Sequence, residues 1–263
     1  MLVLLPPSEG KAEPDGGAPL DLAALSLPGL TAARAAVLNE LTGLCSADGT
    51  KAREVLGLSE RQAAEVRRNA ALRTAPALPA ARLYTGVLYD ALGLASLPPA
   101  ARGRAERSLL VFSGLWGALR ITDRVPAYRC SGGVRLPALG GLAGHWRGPL
   151  GAVLPAEAGD GLVLDLRSSA YAAMWKPAAR GDLARRTVTV RVLHSRLVDG
   201  VERRSVVSHF NKATKGRIVR SLLTAGVPDP ATPAELAGTL RDLGHRVEGG
   251  DRPGRLDVIV SEL

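Results

Sequence analysis

Cysteine is nearly missing: Cys45 and Cys130 are the only two in 263 residues. Two thiols allow at most one bridge and have neither the count nor the paired spacing of a disulfide framework or a zinc site, so a reducing cytoplasm is expected. Histidine is almost as sparse. His145, His194, His209 and His245 show no HExxH or other ligand spacing, so no metal is expected and each reads as structural. No apolar run approaches the length that crosses a bilayer, and the opening MLVLLPPSEG lacks the basic segment and the sustained apolar stretch of a secretion signal. A membrane partner is therefore not expected, nor is a cofactor. The short LVLL run, bounded by prolines, reads instead as a buried first strand.

Lysine is the other scarcity. Of 34 basic residues only five are lysine: Lys11, Lys51, Lys176, Lys212 and Lys215. Where arginine is the default cation, a lysine points to a need for a compact ammonium whose pKa burial can move. What the chain has in plenty is positive charge and apolar surface. A net charge of +9 favours anionic partners, nucleic acid or a phosphorylated small molecule, although arginines scattered over solvated faces give the same balance with no partner. A hydrophobic content of 46% is enough to bury a substantial core.

Residues 11–19 form a Gly/Pro-rich loop, and alanine-rich helical stretches follow near 20–42, 47–57 and 59–73. Ser59 is a natural N-cap for the third, with Glu60 at the positive end of the helix dipole. This is a helical insert spanning about 20–75. Beyond it, RSLLVFSG, GLVLDL, RTVTVRVLHS, RRSVVSHF and LDVIVSEL read as strands. The runs 186–194 and 201–208 alternate apolar with polar, and Asp199-Gly200 between them supplies a hairpin turn. The expected architecture is α+β: a mixed β-sheet surrounded by helices in one compact domain over 1–263, with a basic cleft at the strand ends.

Four strand ends carry polar residues that can build such a cleft. VFSGLWG runs from an apolar strand into a Ser-Gly turn, whose free backbone N–H groups suit an anion, with Arg120 and Arg129 downstream as bidentate partners. SGLWG is not a nucleophile elbow, because no glycine stands two positions before Ser113. SHFNKATKGRIVRSLL has helical periodicity, which places Lys212 and Lys215 on the face of Ile218, Val219, Leu222 and Leu223, and Arg217 and Arg220 on the solvent side. Inward lysines need a carboxylate, an edge or a polar cleft; a helix starting only after Gly216 would dissolve that geometry. LDLRSSAYAAMWKP brings Asp165, Arg167, Ser168, Tyr171 and Lys176 after another strand, and LPPSEGKA brings Ser8, Glu9 and Lys11 after the first. A serine at 168 or 169 also reads as a helix N-cap. LPGLTAARAAVL at 27–38 approximates a helix-hairpin-helix form without its second glycine, and Thr31 as a plain helix cap explains it better.

The three segments FSGLWGALRITDRVPAYR, VLDLRSSAYAAMWKP and SHFNKATKGRIVRSLL, in that order, resemble the YaaA family of bacterial peroxide-stress proteins. The family's motifs are matched at 113–117, Asp123, 126–129, Ser168, 171–177 and 212–216. The resemblance implies a mixed α/β domain with a positively charged cleft and a helix-hairpin-helix-like element associated with DNA binding. It also implies a cytoplasmic role in limiting oxidative DNA damage by keeping reactive intracellular iron low. The chain departs from the enterobacterial pattern at Ser169-Ala170 and Asp165, where that type has Asp-Glu and Asn. It departs again at the amino terminus, and the hairpin-like segment, nearer 55–70, lacks the glycine hairpin.

Two readings of the cleft follow. In the first, the protein binds DNA, with Lys11, Arg120, Arg129, Lys176, Lys212 and Lys215 on the phosphates and Ser113, Trp116, Asp123 and Tyr128 in the cleft wall. In the second, it is an enzyme acting on a nucleotide-like or other anionic small molecule. Lys212 or Lys215 would then be base or nucleophile, Asp165 or Asp123 would orient it, and Ser168 and Tyr171 would complete the site. An enclosed pocket favours the second and an open groove the first; no obligate protein partner is evident.

Overall fold

The computed structural model describes residues 1–206 and 208–261, and the side chains of Ser208, His209 and Phe210 lie outside the described set. One sheet organises it, built from β1 (Leu2–Leu5), β2 (Leu109–Ser113), β3 (Gly117–Arg120), β4 (Val163–Asp165), β5 (Thr187–Val198), β6 (Val201–Ser205), β7 (Arg246–Gly249) and β8 (Arg255–Ser261). Their order is β7-β8-β5-β4-β1-β2-β3, with β6 paired to β5. The centre is parallel: β1 lies between β2 and β4, with Val3 opposite Leu109 on one side and Leu164 on the other. Strands buried on both faces read as unbroken apolar runs, as LVLL does.

The mixed sheet flanked by helices is the expected architecture. Its parallel centre adds something the strand runs did not reveal. The chain leaves β1 for β2 on one side and then crosses back to β4 on the other, so the winding reverses between β1 and β4. In an open parallel sheet the crevice at the carboxyl ends of two such strands is where ligands bind.

The flanking helices include α1 (Thr31–Ala47), α2 (Gly49–Leu56), α3 (Ala63–Ala70), α4 (Val87–Leu92), α5 (Pro99–Ser108), α6 (Leu142–Ala158), α7 (Ser208–Thr224) and α8 (Pro233–Asp242). Helices α1, α2 and α3 lie within residues 20–75, but α1 begins only at Thr31. Pro28 opens a single 3-10 turn ahead of it, and Thr31 is the first helical residue rather than a side-chain cap. Arg34 of α1 is fully buried and donates to Ser26 O (2.7 Å), Ala118 O (2.7 Å) and Trp116 O (3.1 Å), tying the insert to β3. Ser59 does start the 3-10 turn that leads into α3, with Gln62 Oε1 accepting from its backbone N–H.

The Asp199-Gly200 turn forms as expected, with φ of 52° and 77°, and Val198 pairs Val201 across it. Two successive positive φ values match the twist of a two-residue hairpin. The ribbon extends further than the alternation indicated: residues 196–198 are strand, and the second strand ends at Ser205.

Helix α7 runs unbroken through Gly216, which sits against α4. A Cβ there would lie 2.3 Å from Leu88 O and 2.9 Å from Ala91 Cβ. The glycine is thus a requirement of close helix packing, and the inward face of α7 is maintained. Arg217 is exposed, but Arg220 is not ordinary surface charge: it donates to Leu92 O (3.0 Å) and Gly93 O (2.9 Å), satisfying carbonyls at the end of α4. We expect Gly216→Ala to destabilise the protein by about 1–3 kcal/mol despite alanine's better helix propensity. Urea denaturation checks this, and a neutral result would mean that the two helices do not approach so closely.

Candidate functional site

A pocket of about 650 Å³ opens at the point where the winding reverses. Residues 6–9, just after β1, form one wall, and Leu166, Ser168 and Tyr171, after β4, form another. Tyr89 of α4 and Asn211, Lys212 and Lys215 of α7 close the remaining sides. The elements that meet here are three of the four strand ends and helix starts named from the sequence.

Lys212 is exposed at the mouth. Lys215 is partly buried, and its Nζ donates to Leu166 O at 3.2 Å. Burial pulls its pKa below the ordinary lysine value, and nearby Asp165 opposes that shift. Asp165 itself is committed to Arg167, which holds it bidentately through Nε to Oδ1 (2.8 Å) and Nη2 to Oδ2 (2.6 Å). The Arg167 side chain is completely buried; it also donates to Tyr171 O and Trp175 O, and its guanidinium lies 4.2 Å from the centroid of the Phe112 ring. This ion pair fixes the path of the chain as it leaves β4. Ser168 occupies the N-cap position of the single turn Ser169–Ala172 without a side-chain cap bond, and it faces the pocket. The Tyr171 hydroxyl accepts from Gly132 N at 3.2 Å, and burial raises its pKa.

Lys11 stands behind the residue 6–9 wall. Its Nζ donates to Ser8 O at 2.9 Å and lies 4.3 Å from the Tyr128 ring centroid. Burial first, and the Arg129 guanidinium second, bring its pKa down to about 8. Arg129 pairs with Glu9 at 2.6 Å on the rim. Beneath Lys11 runs a buried hydroxyl chain, from Ser113 Oγ to Tyr128 OH (2.6 Å) to Tyr84 OH (2.8 Å). Ser113 Oγ already accepts from Leu115 N and Trp116 N, so it donates to Tyr128, which donates to Tyr84. The Tyr84 hydrogen is then left without an acceptor among the described residues.

Other expected site residues lie elsewhere. The backbone N–H groups of SGLWG are not open to an anion: Ser113 Oγ takes two of them, and Trp116 is fully buried, edge-on to Tyr128. Gly117, at φ 72°, permits Trp146 to pack where a Cβ would lie 2.7 Å from its ring. This segment is core. Arg120 is at the opposite end of the sheet, bonded to Glu157 and Arg107 O. Buried Asp123 closes a turn by accepting from Ser26 N and Arg120 N, both at 2.8 Å. Lys176 is exposed and does not line the pocket.

Three contributors escaped the sequence reading. Tyr89 donates to Pro6 O at 2.7 Å and stacks on Tyr84. Ser131 follows the tyrosine-arginine motif into the lining. Asn211 Oδ1 is a buried acceptor with no hydrogen-bond partner among the described residues, one residue before Lys212. Ser131 adjoins the quoted motifs and Asn211 lies within one, whereas nothing in the sequence around Tyr89 singled it out.

A family model described as peroxide stress protein YaaA matches residues 1–247. A UPF0246 protein of Streptomyces coelicolor is 65% identical over 268 residues, covering 100% of both chains. UPF0246 proteins of Corynebacterium efficiens and Corynebacterium glutamicum are 44% identical over 252 residues and 42% over 224, covering 94% and 84% of this chain and 95% and 84% of those relatives.

Two outcomes follow from the buried charges. Asp165→Asn leaves the buried Arg167 guanidinium without its carboxylate and should destabilise the protein by about 3 kcal/mol in urea titration; an unchanged midpoint would mean the pair contributes nothing. Lys11, with a folded pKa near 8 against the ordinary 10.5, binds fewer protons folded than unfolded between those values. Wild-type stability should therefore rise relative to Lys11→Met as pH goes from 8 to 10. A difference that does not vary with pH would contradict the burial of a charged amine.

Proposed function

This chain belongs to the peroxide stress protein YaaA family, and on that premise we propose that it serves peroxide resistance by holding a phosphorylated or otherwise anionic small molecule of nucleotide size in the pocket between β1 and β4. The observation that carries this reading is the pair Lys212 and Lys215, one turn apart on α7, both lining a pocket of about 650 Å³ at the reversal of strand order. The lysines supply point charges for phosphate or carboxylate. Asn211 Oδ1, without a partner among the described residues, calls for a hydroxyl or amino donor on the same ligand, and Tyr89 and Tyr171 provide apolar ring surface. The volume suits one ligand and not a duplex. No helix among the described residues is long and apolar enough to cross a membrane, and the cytoplasm is the compartment proposed here.

A second reading, DNA binding that limits oxidative damage, draws on a different place. Helices α2 and α3 form a hairpin around Gly57, at φ 64°, and Lys51, Arg61 in the connecting turn and Arg67 are exposed on a chain of net charge +9. Phosphate contacts of that kind give affinity without sequence preference. Lower reactive iron would be a downstream effect under either reading.

Thermal-shift titration with ribonucleotides, inorganic phosphate and duplex DNA separates the two. Under the pocket reading, nucleotides stabilise the wild type, and the double variant Lys212→Ala/Lys215→Ala weakens that response roughly tenfold or more, as expected for loss of charge-assisted bonds. Arg120→Ala leaves it unchanged. A nucleotide response that survives in the lysine variant would refute the pocket reading. A response to duplex alone, lost on neutralising Lys51, Arg61 and Arg67, would establish the second.

A further inference from the structure

We propose that the end of the sheet opposite the β1–β4 crevice holds a second ligand site, which takes a small carboxylate with an apolar body. The inference is independent of the reading of Lys212 and Lys215. A recess of about 510 Å³ opens where β1 begins, at Leu2 and Val3, between the second half of α5, the last turn of α6 and the second half of α7. It lies at the amino ends of the parallel strands and shares no lining residue with the pocket between β1 and β4.

The charged side chains that line this recess do not balance. Glu157 is paired with Arg120, and Asp229 with the Met1 amine at 2.7 Å. Both carboxylates are thereby engaged, whereas Arg104 and Arg107 have no carboxylate within ion-pair distance among the described residues. The two arginines stand three residues apart on α5 and share one of its faces. Arg104 Nη2 donates to Leu223 O, which also lines the recess, so this guanidinium sits in the wall where α5 meets α7. Its Nε is buried and has no acceptor among the described residues. A buried N–H without an acceptor is unfavourable, and an oxyanion seated against the guanidinium supplies what the chain does not. Arg107 is exposed, and its guanidinium has no bonded partner among the described residues.

The remaining wall is apolar. Val219 and Leu222 of α7 form it together with Val227, which is 44% exposed although it is a large aliphatic residue. A carboxylate meets the planar donor fork of a guanidinium, and a hydrocarbon body meets the valines and leucine. An apolar wall with a few convergent polar groups is the usual construction of a small-molecule site. With Glu157 and Asp229 also in the lining, one negative charge suits the recess better than the two of a phosphate monoester.

Isothermal titration of the whole protein at pH 7 tests the site with four probes. Hexanoate carries both the charge and the apolar body, acetate the charge alone, 1-hexanol the body alone, and hexyl phosphate the body with a second charge. Hexanoate should bind once per chain, roughly tenfold or more tighter than any of the other three. Arg104→Gln and Arg107→Gln should each weaken it roughly tenfold, as expected for loss of a charge-assisted bond. Val227→Glu, at an exposed position, should weaken it at least as much and keeps the test decisive if Arg104→Gln folds poorly. Lys212→Ala/Lys215→Ala should leave hexanoate affinity within twofold of wild type. No heat with hexanoate, equal affinity for acetate or 1-hexanol, or tighter binding of hexyl phosphate would overturn the proposal. So would a hexanoate affinity that is unchanged in Arg107→Gln and Val227→Glu, or one that is lost in the lysine double variant. The nucleotide response of that double variant is read separately, so either site can fail while the other stands.

Discussion

The reversal of winding between β1 and β4 is the constraint from which the rest follows. Five parallel strands can be covered on both faces by helices, but where the chain goes one way to β2 and the other way to β4, the loops leaving β1 and β4 diverge. The space between them is filled by side chains from distant parts of the sequence. Residues 6–9, α4, the turn Ser169–Ala172 and the start of α7 are drawn together there by sheet geometry rather than by neighbourhood in the chain. Gly216 keeps α7 close on α4, and the ion pair between Arg167 and Asp165 fixes the chain leaving β4, so the pocket walls stand on packed elements.

Cations are placed in this fold at two levels. Arg34, Arg167 and Arg220 spend their planar forks on carbonyls and a carboxylate and act as internal braces, the use to which a permanently charged, multidentate donor is suited. Lys11 and Lys215 each make a single bond to a carbonyl and lose part of their hydration. Only the second kind has a charge state that a pocket can alter. The scarcity of lysine in an arginine-rich chain is thus given a physical meaning where three of the five lysines stand in or beside one pocket.

Much of the fold was legible because strands and hairpin turns are written locally. LVLL, VFSG, VLDL and the Asp199-Gly200 turn each specify their own conformation, and the inward face of α7 follows from its period. What was not legible was long-range. Nothing local distinguishes SGLWG as a strand-end anion site from SGLWG as core; the decision lies with Trp146, which needs the space over Gly117, and with Ser113, which consumes the nearby N–H groups. Arg120 and Arg129 are equivalent in sequence, yet one sits on β3 at the far edge and the other on the rim, because β3 runs antiparallel and carries its end away from the pocket. Arg34 and Asp123 are polar residues used structurally, and only their partners reveal it.

The central claim is that the pocket between β1 and β4 is where this protein holds an anion. Anomalous diffraction from crystals soaked in tungstate, a phosphate-like oxyanion, tests it most directly. The account predicts a peak within bonding distance of Lys212 or Lys215, between the residue 6–9 wall and Ser168. A peak found only beside Lys51, Arg61 and Arg67 of the α2–α3 hairpin, or only beside Arg241 and Arg252 near β7 and β8, would contradict it.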